Sequence, residues 1–381
     1  MTQIKLKRCV KCIMPETQQG IEFDKEGVCA VCRQHEVKVK IDWEKKEKKL
    51  IKLIDQYRGK YAYDCLIPFS GGKDSTFTAY ILVKKYGIKP LLVSLDHGFL
   101  RPRTLENRVK TVKKLGVDIL TFRPNWKVVK KLMLESLKRK GDFCWHCHTG
   151  VFAYPMQIAI KFNIPLVFWG EPSAEYTSYY SYEKPEEVDE VRFNKLVNLG
   201  ITADDMFKFL NGAVDIRDLA PFKYPPLKDL RAINYRSVCL GSYIPWNARK
   251  QAEIIRKELD WRWDVVEGIP KSYGYQKIEC MLYGMRDYLL FIKKGFGRTA
   301  HLVSIDIRNS GLSREEGLKL AEKYDGKRPA SMDWFLNMLG ITEKEFMDIA
   351  LKHITSPYIF DPRKVKPGKK LWDQDLWDKT R

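Results

Sequence analysis

Short apolar runs alternate with longer amphipathic stretches over the first 230 residues. Residues 63–68 (YDCLIP), 90–95 (PLLVSL), 118–122 and 164–169 (IPLVFW) are four such runs, each the length of one strand. Before and between them the pattern predicts helices: 42–57, charged and closed by Arg58-Gly59; one opening after a Gly-rich turn and running through Lys85; 104–115; and 127–139. Apolar strands separated by helices belong to a parallel sheet covered on both faces. The expected fold is therefore α/β, a doubly wound domain over about residues 60–230. Ahead of it, residues 1–40 form a compact cysteine-bearing unit with turn signals at Gly20 and Gly27. Beyond about 235 the chain reads as mainly helical, with an aromatic-rich segment at 246–263. Its last twenty residues are polar, contain Pro362 and Pro367, and read as a tail. The expected division is 1–40, 41–235 and 236–381.

Composition narrows the class. In 381 residues, 44% hydrophobic and 12% aromatic content is globular rather than disordered. No stretch approaches about 18 consecutive apolar residues, so no membrane span is expected. Residues 1–8 have no apolar segment behind them, so no signal peptide is expected and the cytoplasm is the expected compartment. The net charge of +20 fits a basic solvated surface or attraction to a polyanion. The lysine run at 45–52 reads as the solvated face of a helix.

The turn after the first predicted strand is Ser70-Gly71-Gly72-Lys73-Asp74-Ser75. Strand, Gly-rich turn and helix together present unpaired backbone N–H groups and a helix N-terminus to an anion. Gly71 and Gly72 allow close backbone approach. Ser70 and Ser75 offer hydroxyl donors, Lys73 neutralises charge, and Asp74 suits the Mg²⁺ that travels with ATP. An ordinary capped turn would use the same residue types. The spacing is neither a Walker A loop nor the dinucleotide Gly-x-Gly-x-x-Gly pattern.

Nine cysteines in a chain with no export signal argue for metal or thiol chemistry rather than a disulfide framework. Cys9-x2-Cys12-x16-Cys29-x2-Cys32 has the spacing of a closed four-thiolate zinc site. Cys144-x-x-Cys147, flanked by His146 and His148, has three readings: a metal or cluster site, redox thiols, or no special role. The pair resembles the Cys-x-x-Cys that, with a third cysteine further on, holds an iron–sulfur cluster in the PP-loop tRNA thiolation enzymes; that resemblance implies Cys144, Cys147 and Cys239 as ligands of a [4Fe–4S] cluster with one open iron position. Glu171 and Glu175, just past the fourth run, could act on Mg²⁺ or on an incoming nucleophile, or form a solvated acidic loop. Arg298 and Arg308 could grip a pyrophosphate.

The loop resembles the SGGxDS motif of the PP-loop ATP pyrophosphatase (adenine nucleotide alpha hydrolase-like) superfamily. The segments around the first cysteines, Arg8-Cys9-x-x-Cys12-Ile13-Met14-Pro15-Glu16-Thr17 and Gly20-Ile21-x-Phe23-Asp24-x-x-Gly27-Val28-Cys29, resemble the N-terminus of the N-acetyl sugar amidotransferases of lipopolysaccharide and surface-glycan synthesis. Gly141-Asp142, Trp169-Gly170-Glu171-Pro172 and Gly241-Ser242-Tyr243-Ile244-Pro245-Trp246 continue the resemblance. It implies an N-terminal zinc-ribbon unit and ATP held by Ser70 to Ser75. By their places at the strand ends, Asp96 is a candidate nucleotide contact or helix cap and Gly170 a nucleotide neighbour, and Lys73, Asp74, Glu171 and His148 are the candidate catalytic residues. The implied cofactors are ATP, Mg²⁺ and Zn²⁺.

The reaction so implied adenylates the acetamido oxygen of a nucleotide-linked sugar, and ammonia then displaces AMP to give an acetamidino sugar. The ammonia comes from a separate glutaminase, with a cyclase-like partner subunit. Two other readings remain open. The third cysteine pair and the positive charge fit a PP-loop tRNA thiolation enzyme. A zinc-ribbon RNA-binding module without catalysis is the other, and the complete loop argues against it.

Overall fold

The structure is a computed structural model that describes residues 6–177, 180–184, 186–187 and 192–368. Its first two helices are α1 (Ala30–Val39) and α2 (Trp43–Asp55). Asp42 caps α2 by accepting from the Lys45 amide at 2.9 Å. Strands and helices then alternate: β1 (Cys65–Pro68), α3 (Lys73–Lys84), β2 (Pro90–Leu95), α4 (Pro102–Leu115), β3 (Asp118–Phe122), α5 (Trp126–Lys140), α6 (Trp145–Lys161) and β4 (Leu166–Trp169). Helices α7 (Ala203–Leu210) and α8 (Leu227–Ala232) precede a fifth strand, β5 (Arg236–Cys239). The five strands form one parallel sheet in the order β3-β2-β1-β4-β5.

The alternation of side chains along each strand sorts the sheet into two cores. Leu66, Leu91, Val93 and Val167 meet Met156, Ile158 and Ala159 of α6 on one face. Cys65, Ile67, Leu92, Leu166, Phe168 and Val238 meet Phe77, Ala79 and Leu82 of α3 on the other. A sheet buried on both faces carries helices on both, so the doubly wound expectation is met. Two elements were not expected. Helix α6 carries Pro155 inside it, and β5 lies in the region read as helical. Four residues are too few to show a period, and β5 is recognisable only by its pairing with β4.

After β5 the chain is helical: α9 (Ala248–Leu259), α10 (Tyr283–Lys294), α11 (Arg298–Arg308), α12 (Arg314–Tyr324), α13 (Met332–Leu339) and α14 (Glu343–Leu351). The cysteine-bearing unit docks on this region. Arg314 donates to the carbonyls of Cys9 and Cys12 (Nε at 3.3 and 3.0 Å), and Thr17 Oγ1 donates to the Lys294 carbonyl at 2.6 Å. Ile13, Met14 and the four cysteines share one apolar cluster with α3, α9 and Ala300 to Val303 of α11. The expected tail is folded as far as it is described: the Lys366 amide donates to Gly326 O at 2.9 Å, and Lys366 Nζ donates to Asp325 O at 2.9 Å. Residues 369–381 lie outside the described residues. No described helix is long and apolar enough to cross a membrane.

Candidate phosphate and metal sites

β1 is the central strand, with β2 on one side and β4 on the other. The order reverses there, so the crevice beyond the C-terminal ends of β1 and β4 is the topological switch point of the sheet, the place where open α/β sheets bind ligands. The loop after β1 is Ser70 to Ser75, and the loop after β4 is Gly170-Glu171. The sequence expectations at these two loops therefore meet at one crevice. A Cβ on Gly170 would come within 2.7 Å of Thr78 Oγ1 and 3.2 Å of Asp74 O, so the β4 end lies directly against the first turn of α3.

The phosphate loop is ordered by its own hydroxyls. Ser75 Oγ accepts from the Ser70 and Gly71 amides, both at 3.2 Å, and Ser70 Oγ accepts from the Gly72 amide at 3.2 Å. Gly71 has φ +86, a left-handed conformation that favours glycine. Trp261, fully buried, donates Nε1–H to Gly71 O at 3.0 Å. Behind the loop begins α3, whose first turn contributes free N–H groups and the positive end of the helix dipole.

Charge in the crevice is dominated by carboxylates. Lys73, 3% exposed, donates Nζ–H to Asp74 Oδ2 at 2.6 Å. Burial would push the Lys73 ammonium down, but Asp74, Glu171 and Glu279 hold it above its usual range. Burial and the neighbouring Asp74 push Glu171 up to about 7, against the pull of Lys73 and Lys277. A group titrating there is poised for proton transfer near neutral pH. Asp74 Oδ1 is a buried oxygen with no hydrogen-bond partner. An orphaned carboxylate oxygen fits a divalent cation that is otherwise held by phosphates and water, so the residues suit Mg²⁺.

The other expected residues divide. Asp96, at the C-terminal end of β2, accepts from the Gly98 amide at 2.9 Å and from Arg123 Nε at 2.7 Å, so its carboxylate is already engaged. His148 stands in the first turn of α6, where burial and Arg286 push it down to about 3. A neutral imidazole there is an acceptor, not an acid. Glu175 is a structural anchor: it accepts from Lys38 of α1 and from the Tyr182 hydroxyl. Arg298 is held by Asp287 (Nε at 2.8 Å) and Arg308 by the Glu175 carbonyl at 2.9 Å, so both are engaged within the fold.

Four thiols do come together. Cys9, Cys12, Cys29 and Cys32 are buried, and their sulfurs all lie within 4.8 Å of one another, a group able to hold a metal ion. Cys9 Sγ accepts from the Cys12 and Cys29 amides at 3.5 and 3.2 Å, and Cys12 Sγ from the Met14 amide at 3.5 Å. Hydrogen bonding among the four pushes Cys9 and Cys12 down and Cys29 and Cys32 up. Their competition for shared protons ends when a cation replaces those protons, which fits tetrahedral zinc.

Cys239 does not complete a second cluster. It ends the edge strand β5, and its thiol faces Glu186 and Arg192. The sulfur within electrostatic reach of Cys144 and Cys147 is Cys280. Among the described residues, the only group of three or more ligands close enough to share an ion is the N-terminal one.

Sequence reasoning missed the strap that crosses the loop. From Trp261 to Glu279 the chain is pinned along α4 and the connection before it. Arg101 pairs with Asp264 at 2.7 Å, Asn107 Nδ2 donates to Arg262 O at 2.9 Å, and Thr104 Oγ1 donates to Ile278 O at 2.7 Å. These contacts deliver Lys277 and Glu279 to the crevice. About 200 residues separate them from the loop, and no local pattern marks them.

Residues 267–373 match the family described as LPS biosynthesis protein WbpG-like, C-terminal domain. An uncharacterized protein of Methanocaldococcus jannaschii is 26% identical over 144 residues, 37% of this chain and 50% of that one. The glutamine-hydrolyzing GMP synthase of Pyrobaculum aerophilum is 29% identical over 87 residues, 23% of this chain and 17% of that enzyme. The matches thus span half the length or less of these relatives. NMN synthetase from Francisella tularensis aligns over 51% of this chain and 93% of its own, at 14% identity and TM-score 0.28. Residues 267–373 thus match a WbpG-like C-terminal domain of LPS biosynthesis proteins, and ahead of that domain the Ser70–Ser75 loop lies at the switch point of a parallel sheet.

Proposed function

We propose that the protein is an ATP-dependent amidotransferase that converts the acetamido group of a nucleotide-linked sugar to an acetamidino group for surface polysaccharide synthesis. The observation that carries this reading is the Ser70–Ser75 loop at the β1/β4 switch point, facing Glu171 across the crevice. The acetamido oxygen attacks the α-phosphorus of ATP, and the α–β bridging bond breaks to release pyrophosphate. Loop N–H groups, the Ser70 and Ser75 hydroxyls and Lys73 stabilise the departing charge. Bound Mg²⁺ supplies further neutralisation of that charge.

Ammonia then adds to the activated carbon, and AMP leaves with the former acetamido oxygen. The added nitrogen must shed a proton as the amidinium forms, and ionised Glu171 is the group placed to take it. His148, neutral at working pH, accepts a hydrogen bond from substrate. The ammonia is supplied by a glutaminase subunit, with a cyclase-like subunit beside it. The four N-terminal cysteines hold structural zinc.

The test is to incubate the purified protein with ATP, Mg²⁺, ammonia and a panel of UDP-N-acetyl sugars and to quantify AMP. AMP formed only with a sugar and ammonia supports the reading. AMP formed with tRNA and a sulfur donor, and with no sugar, overturns it in favour of thiolation.

A further inference from the structure

The geometry points to Glu279, in the C-terminal domain, as a carboxylate ligand that joins Asp74 in holding the divalent cation of the ATP site. The inference rests on the ATP-cleaving reading of the same crevice, but not on the identity of the sugar.

Four observations carry it. Glu279 lies directly on the phosphate loop: a Cβ built on Gly72 would stand 1.8 Å from Glu279 Oε1 and 2.5 Å from its Cδ. Glycine at position 72 is thus the space in which this carboxylate sits, against the backbone that cradles the phosphates. Second, Glu279 Oε2 is buried with no hydrogen-bond partner, and so is Asp74 Oδ1. Burying a carboxylate oxygen without a donor is costly, and two in one crevice call for a shared positive partner.

Third, the ammonium of the loop itself, Lys73, is already committed. Lys73 donates to the other Asp74 oxygen and lies within electrostatic reach of Glu171 and Glu279. Asp74, Glu171 and Glu279 thus gather around Lys73, with Lys277 as the further ammonium acting on Glu171, in the place where a polyphosphate must bind. A divalent cation resolves that conflict, because Mg²⁺ is held by one or two carboxylates with substrate phosphates and water completing its shell. Fourth, Glu279 is held in register from both sides. The Ile278 carbonyl accepts from Thr104 Oγ1 at 2.7 Å, and the Met281 amide donates to Phe99 O at 2.9 Å.

The consequence concerns the architecture of the site. The loop and sheet supply the phosphate cradle and one carboxylate, and the WbpG-like domain at 267–373 supplies the second. The α/β part alone therefore has an incomplete cation site.

The test measures metal binding directly. Mn²⁺ is titrated into the full-length protein with α,β-methylene-ATP, which cannot be cleaved at the α–β position, and free Mn²⁺ is read by electron paramagnetic resonance. Binding of the same analogue without metal is measured by equilibrium dialysis. Glu279→Gln keeps the shape and removes the charge. It is expected to weaken Mn²⁺ binding by about tenfold or more, while analogue binding without metal stays equal or tightens. Glu279→Asp is expected to restore part of the metal affinity. Unchanged Mn²⁺ affinity in Glu279→Gln, with a wild-type melting curve, overturns the inference. Equal losses of metal-bound and metal-free analogue binding also overturn it, because a structural role alone predicts that. Wild-type protein that binds the metal–analogue complex but forms no AMP with any sugar removes the proposed substrate and leaves Glu279 as a ligand. Wild-type protein that binds no analogue removes both.

Discussion

Two adjacent glycines in the phosphate loop should respond differently to the same added methyl group. At Gly71 the backbone has φ +86, and an alanine there carries a left-handed penalty of about 1–2 kcal/mol. Its Cβ would also stand 2.3 Å from Arg108 Cγ and 3.2 Å from Thr104 Cγ2. Arg108 is fixed by its hydrogen bond to Thr121 Oγ1 at 2.8 Å, so overpacking adds about 1–3 kcal/mol. Gly71→Ala is therefore expected to cost about 2–5 kcal/mol, a fall of several degrees in apparent Tm. At Gly72, φ −74 and ψ 173 suit any residue, and the three atoms nearest the added Cβ all belong to the outer part of the flexible Glu279 side chain. Gly72→Ala is expected to change stability by less than about 1 kcal/mol, and Glu279→Ala is expected to recover what is lost. Thermal melts followed by intrinsic fluorescence, with so many buried tryptophans, report both. Equal destabilisation by the two alanines, or a Gly72→Ala loss that Glu279→Ala leaves untouched, would refute the packing described for the loop.

Other expectations follow from single contacts. AMP formation should rise with pH through about 7, because Glu171 must be ionised to take a proton and its folded value is raised to about that pH; Glu171→Gln should lower the rate and remove this limb from the pH profile. Replacing Asp264 by Ala leaves the Arg101 guanidinium, 1% exposed, without its 2.7 Å partner, and should cost about 3–5 kcal/mol in a denaturation experiment. Elemental analysis should find about one zinc per chain, lost in Cys12→Ser and retained in Cys239→Ser, since only the former belongs to the four-sulfur group. Trp261→Phe leaves the buried Gly71 carbonyl without its 3.0 Å donor and should destabilise by about 1–3 kcal/mol in the same melts.

The sheet and the glycine-rich turn after β1 were legible because their signals are local. Residues 90–95 and 118–122 form strands with the expected bounds, since short runs rich in apolar and β-branched residues between turn signals have little else to become. The cysteine group was legible for the same reason: two Cys-x-x-Cys knuckles 16 residues apart constrain one another whatever surrounds them. The rest depends on contacts distant in sequence. Glu175 and Glu171 look alike in the sequence, and only Lys38, 137 residues away, makes the first a structural anchor. Cys239 and Cys280 are equally isolated cysteines, and strand pairing decides which one approaches Cys144. Glu279 carries no motif at all. Its position follows from the way α4 grips the strap between Trp261 and Ile278.

The central claim is cleavage of ATP between the α- and β-phosphates with transfer of the substrate's own oxygen to AMP. It is tested most directly with a nucleotide-linked N-acetyl sugar carrying ¹⁸O in the acetamido group, incubated with protein, ATP, Mg²⁺ and ammonia, and followed by mass spectrometry of the nucleotide products. The account predicts AMP bearing one ¹⁸O in its phosphate, in equal amount to the acetamidino sugar. ADP with inorganic phosphate, or AMP without the label, would contradict it.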